Sequence, residues 1–392
     1  MSQSRFSSAV FAAGVTACAV TWWTKPKEYP PNKWSEEANK FSDHIRLGLG
    51  PFHYFCEDKG ATTAVDRITD EMRRSGIEDL EMVHMFKPGL DTRTDGFILT
   101  SAKFFSRVED RIFKVLRQYT RSRLDLTKVS LKFPDLLQPT GQPITCSVRL
   151  NLDSEFNPIV SFEDRRKNEE QICTALANTV GGTYHPLGGS RSRLHAGQQG
   201  MTDRMLDALR SQGLVFEAPW TTFDLASGLG RHWPDARGVW LVDSGESPVA
   251  VWVNHENHVE IVGRGVDGLA VMTRVQKIRD DLSLNLSSVA KSQSVEYLCV
   301  KPEHCGSGAT VSQTMVLKRL SLHPRFKDLT RHLGLAVTDL GNNNFHFVSS
   351  ERFGLSIEES ASRADSALRI LVNLDSQSDA SQTIEQILKF SS

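Results

Sequence analysis

The sequence predicts an α+β protein: a small, mostly helical N-terminal domain followed by a larger domain built on an antiparallel sheet with helices. Three observations lead there. In the first third, apolar residues recur at helical spacing. A Pro-punctuated break follows at residues 133–143. Beyond it, short apolar runs separated by turn residues mix in irregular order with helical stretches, which suits an antiparallel sheet and not a doubly wound parallel one. At 392 residues, with 39% hydrophobic and 24% charged side chains, the chain has the apolar material for two or three domains with real cores.

Residues 1–32 stand apart. From Phe6 to Trp23 the chain is free of charge, with Arg5 before it and Lys25 and Lys27 after. Eighteen helical residues span about 27 Å, enough for a bilayer core, and Trp22 and Trp23 sit where an interfacial aromatic belt belongs. A retained membrane anchor, a cleaved secretory signal and a mitochondrial sorting sequence all fit this pattern. Pro30 and Pro31 then break any continuing helix.

Residues 33–126 read as the helical domain. Ala64, Val65, Ile68 and Met72 form one apolar stripe within Ala61–Ser75. A second, within Ser101–Leu124, comprises Phe104, Phe105, Val108, Ile112, Val115 and Leu116, with Ser101 as its N-cap. Residues 127–392 form the larger domain, entered through the Phe133–Pro143 linker. Ile144–Leu150 alternates as a strand. Gly238–Val242, Val249–Asn254 and His258–Gly263 form a meander, broken at 243–246 and 255–257. Asp267–Leu284 reads as a helix, Val295–Val300, Thr314–Leu317 and Phe345–Val348 as strands, and Glu358–Leu374 as a helix with Ala361, Ala364, Ala367, Leu368 and Leu371 inward.

Composition excludes several classes. Lys+Arg 46 against Asp+Glu 47 leaves a formal charge of -1, so no global basic field draws the chain to nucleic acid, and no nucleic-acid partner is expected. Six scattered cysteines without a C-x-x-C pair make neither a disulfide scaffold nor a zinc cluster. His255-Glu256-Asn257-His258 lacks the spacing that places two imidazoles on one helical face, so no metal site is expected. Gly306-Ser307-Gly308 has no accompanying Lys-Ser/Thr and is not a P-loop.

The informative tract runs from Leu225 to His258. Trp233-Pro234-Asp235-Ala236-Arg237-Gly238-Val239-Trp240, a short hairpin, then Val251-Trp252-Val253-Asn254 with Glu256 and His258 closely resembles the phosphagen (guanidino) kinases, the creatine and arginine kinase family. Cys146-Ser147-Val148-Arg149, Leu322-His323-Pro324-Arg325-Phe326 and Glu351-Arg352-Phe353-Gly354-Leu355-Ser356 match further family segments, so that the resemblance covers most of residues 95–375. It implies an eight-stranded antiparallel saddle flanked by helices behind the small helical domain, and ATP:guanidino phosphoryl transfer as the ancestral chemistry. In that chemistry the protein positions the reactants and neutralises polyphosphate charge with arginines and Mg²⁺.

The arginines score poorly against the family pattern. Arg149 is retained as the one contact expected for an ATP phosphate. Ser147 and Leu152 stand where the family has other arginines, Glu260 reverses the charge of another, and Thr310 replaces a fourth. The family's Arg-Gly-Thr-Gly-Gly loop corresponds to the shorter, arginine-free Val337–Asn344. On the guanidine side, Lys301-Pro302-Glu303 replaces the Cys-Pro-Ser run, His255 replaces one of two acidic residues, and Glu256 keeps the other as the candidate base. Arg237 and Trp240 are assigned to maintaining the fold. Arg264 and Arg319 are candidate substitutes off the family spacing. Each charge-assisted phosphate bond contributes about 1.5–3 kcal/mol, so losing even three of these arginines removes roughly 4–9 kcal/mol, or about three to six decades in rate or affinity.

The expectation is therefore a non-catalytic member with no cofactor. A divergent active ATP:guanidino phosphotransferase using ATP/ADP–Mg²⁺ is the alternative, and a nucleotide or guanidino-metabolite sensor the third reading. Tyr29-Pro30-Pro31 after the apolar leader is similar to the start of mitochondrial members. This places Phe6–Trp23 as a retained inner-membrane span, the folded domain in the intermembrane space, and the chain as an accessory subunit of a respiratory-chain or ATP-synthase assembly.

Overall fold

The structure, a computed structural model, describes residues 85, 88, 98–106, 109 and 126–390, less 140, 193, 195–199, 220, 244–246 and 351–354. The Phe6–Trp23 segment, the Ala61–Ser75 helix and most of the helical domain lie outside the described residues. Of the second predicted helix, residues 102–106 are helical, Ser101 Oγ caps them by accepting from the Phe104 amide at 3.1 Å, and Phe104 and Phe105 are buried.

In chain order the larger domain runs α1 (Leu126–Lys132), β1 (Ile144–Leu150), α2 (Phe162–Thr179), β2 (Gly182–Pro186), α3 (Asp203–Ser211), α4 (Thr222–Ser227), β3 (Gly238–Val242), β4 (Val249–Val253) and β5 (Val259–Gly265). It continues with α5 (Gly268–Asn285), the two-residue strands β6 (Lys291–Ser292) and β7 (Glu296–Tyr297), β8 (Ala309–Val316), α6 (Phe326–His332), β9 (Leu335–Asp339), β10 (Asn344–Ser349), α7 (Ile357–Ser376) and α8 (Ser381–Leu388). Eight strands form one sheet in the order β2-β3-β4-β5-β1-β8-β10-β9, and every neighbouring pair is antiparallel. The expected α+β fold on an antiparallel sheet is present.

The sheet has two unlike faces because strand side chains alternate. Cys146, Val148 and Leu150 of β1, Val259 and Ile261 of β5, and Val311 and Met315 of β8 join one apolar core with Val271, Val275 and Leu282 of α5 and Ala364, Leu368 and Leu371 of α7. Helix α5 lies over β1 and β5, and α7 over β8. Gly263 makes the α5 approach possible: a Cβ there would meet methyls of Val271 and Val275 at 2.8 Å. Polar side chains of the same three central strands point to the other face, and they form the site.

Three expectations change in detail. The Phe133–Pro143 linker is a packed strap: Pro134–Leu137 is a 3-10 turn with Leu136 buried, and Asn373 of α7 donates to the Leu136 and Gln138 carbonyls at 2.9 and 3.2 Å. Val295–Val300 is strand only at Glu296–Tyr297. Val337–Asn344 is the end of β9 and a tight hairpin, turned by Gly341, Asn342 and Asn343 at positive φ.

Candidate functional site

Antiparallel register puts Arg149 of β1 directly opposite Glu260 of β5, and Ser147 opposite Thr310 of β8. Cross-strand partners share a face, so these four residues cluster on the face away from the helices. Both terminal nitrogens of the Arg149 guanidinium are engaged inside the cluster, while its Nε–H is buried without a hydrogen-bond partner. One terminal nitrogen meets Glu260 Oε1 at 2.6 Å, with side chains only 10% and 6% exposed, and the other donates to Thr310 Oγ1 at 2.6 Å. Burial pushes the Glu260 carboxyl up, while Arg149 and a bond from Ser147 pull against that shift. The residue that reverses the charge of the family pattern is therefore the direct counter-ion of the retained arginine.

Glu256 sits in the turn between β4 and β5. Buried amides hold this turn. Asn254, at φ 56°, donates to the Arg165 and Ala236 carbonyls at 3.0 and 2.9 Å, and its own amide closes onto the His258 carbonyl at 2.9 Å. Asn257 Oδ1 accepts from the Val300 amide and from Asn151 Nδ2 at 2.9 and 2.8 Å, and Asn151 Oδ1 accepts from the His258 amide at 2.8 Å. His258 is fully buried and accepts from the Leu152 amide at 3.0 Å; burial, with the Arg165 charge, takes its pKa down to about 3. His255 packs flat on Phe216 with ring centroids 4.5 Å apart, and burial takes its pKa down to about 4.

These interactions aim Glu256 at the turn that follows β7, where its charge is cancelled. Oε2 lies 2.7 Å from Lys301 Nζ and Oε1 3.0 Å from His304 Nδ1. Burial alone would raise the Glu256 carboxyl, but the Lys301 and His304 charges outweigh it and hold the group well below the usual carboxylate range. Lys301 also lies 3.5 Å from Asp224 of α4, and these two carboxylates raise its pKa against its own burial. A carboxylate so neutralised is a poor proton acceptor. The resemblance sets Lys301 at the head of the run that replaces Cys-Pro-Ser, and the chain order alone does not reveal that its ammonium lands on Glu256.

Other singled-out residues fall elsewhere. Arg237 is fully buried and its guanidinium donates to the carbonyls of Leu229, Arg231, His232 and Asp235 at 3.0–3.3 Å, a purely structural role as expected. Trp240 joins the core. Arg264 lies on β5 opposite Thr145, about 13 Å along the strand from Glu260, and donates to the Gln212 carbonyl at 3.2 Å. Arg319 donates to the Gln377 carbonyl at 3.3 Å. Neither one is seen to pair with the Arg149–Glu260 cluster. Among the described residues, this cluster does not fit an ATP–Mg²⁺ polyphosphate: Arg149 is already paired and Glu260 would repel it. Among the described residues no cluster of His, Cys, Asp and Glu could hold a metal ion, and no helix is long and apolar enough to cross a membrane.

An eight-stranded antiparallel sheet carrying a turn-borne glutamate beside a strand arginine defines the class as a guanidino-kinase-type fold. Residues 169–360 match the family model of the ATP:guanido phosphotransferase C-terminal catalytic domain. The chain is 23% identical to the M-type creatine kinase of Canis lupus familiaris, across 92% of this chain and 96% of that one. It is 25% identical to the human M-type enzyme over 68% and 72% of the two chains. Among solved structures, lombricine kinase superposes with a TM-score of 0.59 at 21% identity, covering 78% of this chain and 88% of that one. The duplicated taurocyamine kinase of Schistosoma mansoni with bound transition-state-analogue components gives 0.61 at 20% identity, over 75% of this chain and 42% of that longer one. The chain belongs to the phosphagen (guanidino) kinase family.

Proposed function

We propose that the protein is a non-catalytic phosphagen-kinase-like protein that acts as a membrane-tethered accessory subunit of a mitochondrial inner-membrane respiratory or ATP-synthase assembly. The observation that carries the loss of catalysis is the buried Arg149–Glu260 pair with Thr310 closing the second guanidinium nitrogen. An arginine serves phosphate by offering a free fork of donors, and here both terminal nitrogens are committed. Glu256 is likewise committed to Lys301 and His304. The tether rests on the uncharged Phe6–Trp23 stretch, and the compartment on the resemblance of Tyr29-Pro30-Pro31 to mitochondrial members. An accessory role suits a domain held within about 30 Å of a bilayer by a nine-residue linker better than it suits a diffusing energy shuttle.

The test is phosphoryl transfer from ATP to creatine, arginine, taurocyamine and lombricine by the purified chain, with migration of the detergent-solubilised native protein on blue-native gels. No turnover and comigration with a large inner-membrane assembly are expected. Turnover above about 1 s⁻¹, abolished by Glu256→Gln, would establish the divergent-enzyme reading instead. Binding of ADP–Mg²⁺ without turnover would support a nucleotide sensor. Glu260→Arg with Thr310→Arg restores two donors and should raise nucleotide affinity if the pocket is otherwise open. A folded double variant that binds no nucleotide would end the sensor reading.

A further inference from the structure

Lys301, which precedes the 3-10 turn Pro302–His304, and His304 within it both meet one carboxylate, and the two oxygens of Glu256 are treated differently. Oε1 takes His304 Nδ1 at 3.0 Å and the Asn257 side-chain amide at 3.4 Å. Oε2 takes the Lys301 ammonium at 2.7 Å. Asp224 flanks that ammonium at 3.5 Å, and the Glu303 carboxylate adds its field. The Lys301 side chain is still 23% exposed, so this seat borders solvent. A single ammonium, on an alkyl stem, is thus held by one free carboxylate oxygen with a second carboxylate at its side.

We propose that this seat is a recognition site for a primary alkylammonium group, and that Lys301 is its tethered ligand, closing the site to external cations. The inference rests on the reading of Glu256 as a retained but non-catalytic carboxylate. It assigns the seat a ligand class distinct from the guanidines. A guanidinium engages a carboxylate best through two parallel N–H bonds to both oxygens, and His304 and Asn257 already hold Oε1. An ammonium is a compact point charge that one oxygen satisfies. Intramolecular occupancy also explains why a buried glutamate with no substrate keeps its charge: the tether holds the cation at high effective concentration.

The experiment is chemical rescue on the full-length chain in detergent, without nucleotide. Lys301→Ala removes the three outer methylenes and the amine, which is the shape of n-propylammonium. Thermal midpoints are read against n-propylammonium, methylguanidinium and tetramethylammonium chlorides at matched ionic strength. Lys301→Ala is expected to melt lower than wild type and to recover saturably by about 2–4 °C with propylammonium. Methylguanidinium should be at least tenfold weaker, tetramethylammonium inert, and wild type unresponsive. Rescue should vanish in Lys301→Ala/Glu256→Gln. An equal response in wild type, no saturable rise in a folded Lys301→Ala, rescue that survives Glu256→Gln, or methylguanidinium matching propylammonium would each overturn the assignment. If Lys301→Ala does not fold alone, refolding yield with and without propylammonium is the readout, and no gain overturns it. Phosphoryl transfer by the wild-type chain would refute the non-catalytic reading and leave amine rescue standing; failure of rescue alone would do the reverse.

Discussion

Glu260→Gln isolates the buried counter-ion of Arg149. Glutamine keeps the shape and removes the charge, leaving the Arg149 guanidinium, 10% exposed, with Thr310 as its remaining side-chain partner. Arginine cannot escape by losing its proton. Two unit charges about 4 Å apart interact by about 4 kcal/mol at an effective dielectric of 20, and removing one partner of a buried pair costs about 3–5 kcal/mol. Glu260→Gln should therefore lower stability by about 3–4 kcal/mol at pH 7. Arg149→Met should cost less, because the stranded Glu260, its pKa already raised by burial, can take up a proton. The double variant Arg149→Met/Glu260→Gln should lie within about 1 kcal/mol of wild type, since an apolar replacement of a buried pair is often neutral. Urea unfolding of all four proteins, followed by tryptophan fluorescence, gives the cycle directly. Costs that simply add, or a Glu260→Gln penalty under about 0.5 kcal/mol, would show that the pair carries no coupling and that Arg149 is free to serve a ligand.

Acid should destabilise the fold well above the carboxylate range. His258 and His255 are depressed to about 3 and about 4, so they stay neutral in the fold while the unfolded chain protonates near pH 6.5. Their stability is full above pH 6.5 and falls by about 2–3 kcal/mol each on going to pH 4.5. A urea midpoint unchanged between pH 7 and pH 5 would contradict this. Glu256 adds a further loss below its ordinary pKa, because its folded value lies well below it; Glu256→Gln should flatten the curve between pH 4.5 and pH 3. Asn257→Ala strands the Val300 amide and takes one of two acceptors from Asn151 Nδ2, which keeps the Leu298 carbonyl, and should cost about 1–3 kcal/mol, with proteolysis near residues 299–305 as the local readout. Carbonate extraction with N-terminal peptide mapping tests the Phe6–Trp23 anchor: the native protein should stay in the pellet with that segment attached, and a soluble protein starting after Trp23 would refute retention.

Strands with an alternating or continuous apolar pattern were legible from residues alone. Ile144–Leu150 and Gly238–Val242 have the predicted bounds: the first alternates, and the second is an apolar run because Trp240 joins one core and Val239 the other. Elements whose inward residues are polar were not. Helix α2 is one, because its first half buries Arg165, Asn168 and Glu169; β2 and β9 are short edge strands with weak alternation. Val295–Val300 failed in the opposite sense. It is apolar, but the amides of Cys299 and Val300 go to Cys305 Sγ and Asn257 Oδ1 and make no ladder. The departures from the resembled family pattern at Ser147, Glu260 and Thr310, with Arg149 and Glu256 kept, were likewise written in the sequence, because each departure is a change of residue type. What became of the survivors was not, because hydrogen bonds and ion pairs depend on distance between strands and turns that the chain order leaves far apart. Only the register of β1 against β5 and β8 put Glu260 and Thr310 on Arg149. Only the packing of the Pro302–His304 turn against the β4–β5 turn set the Lys301 ammonium on Glu256, turning a retained acid into half of an internal ion pair.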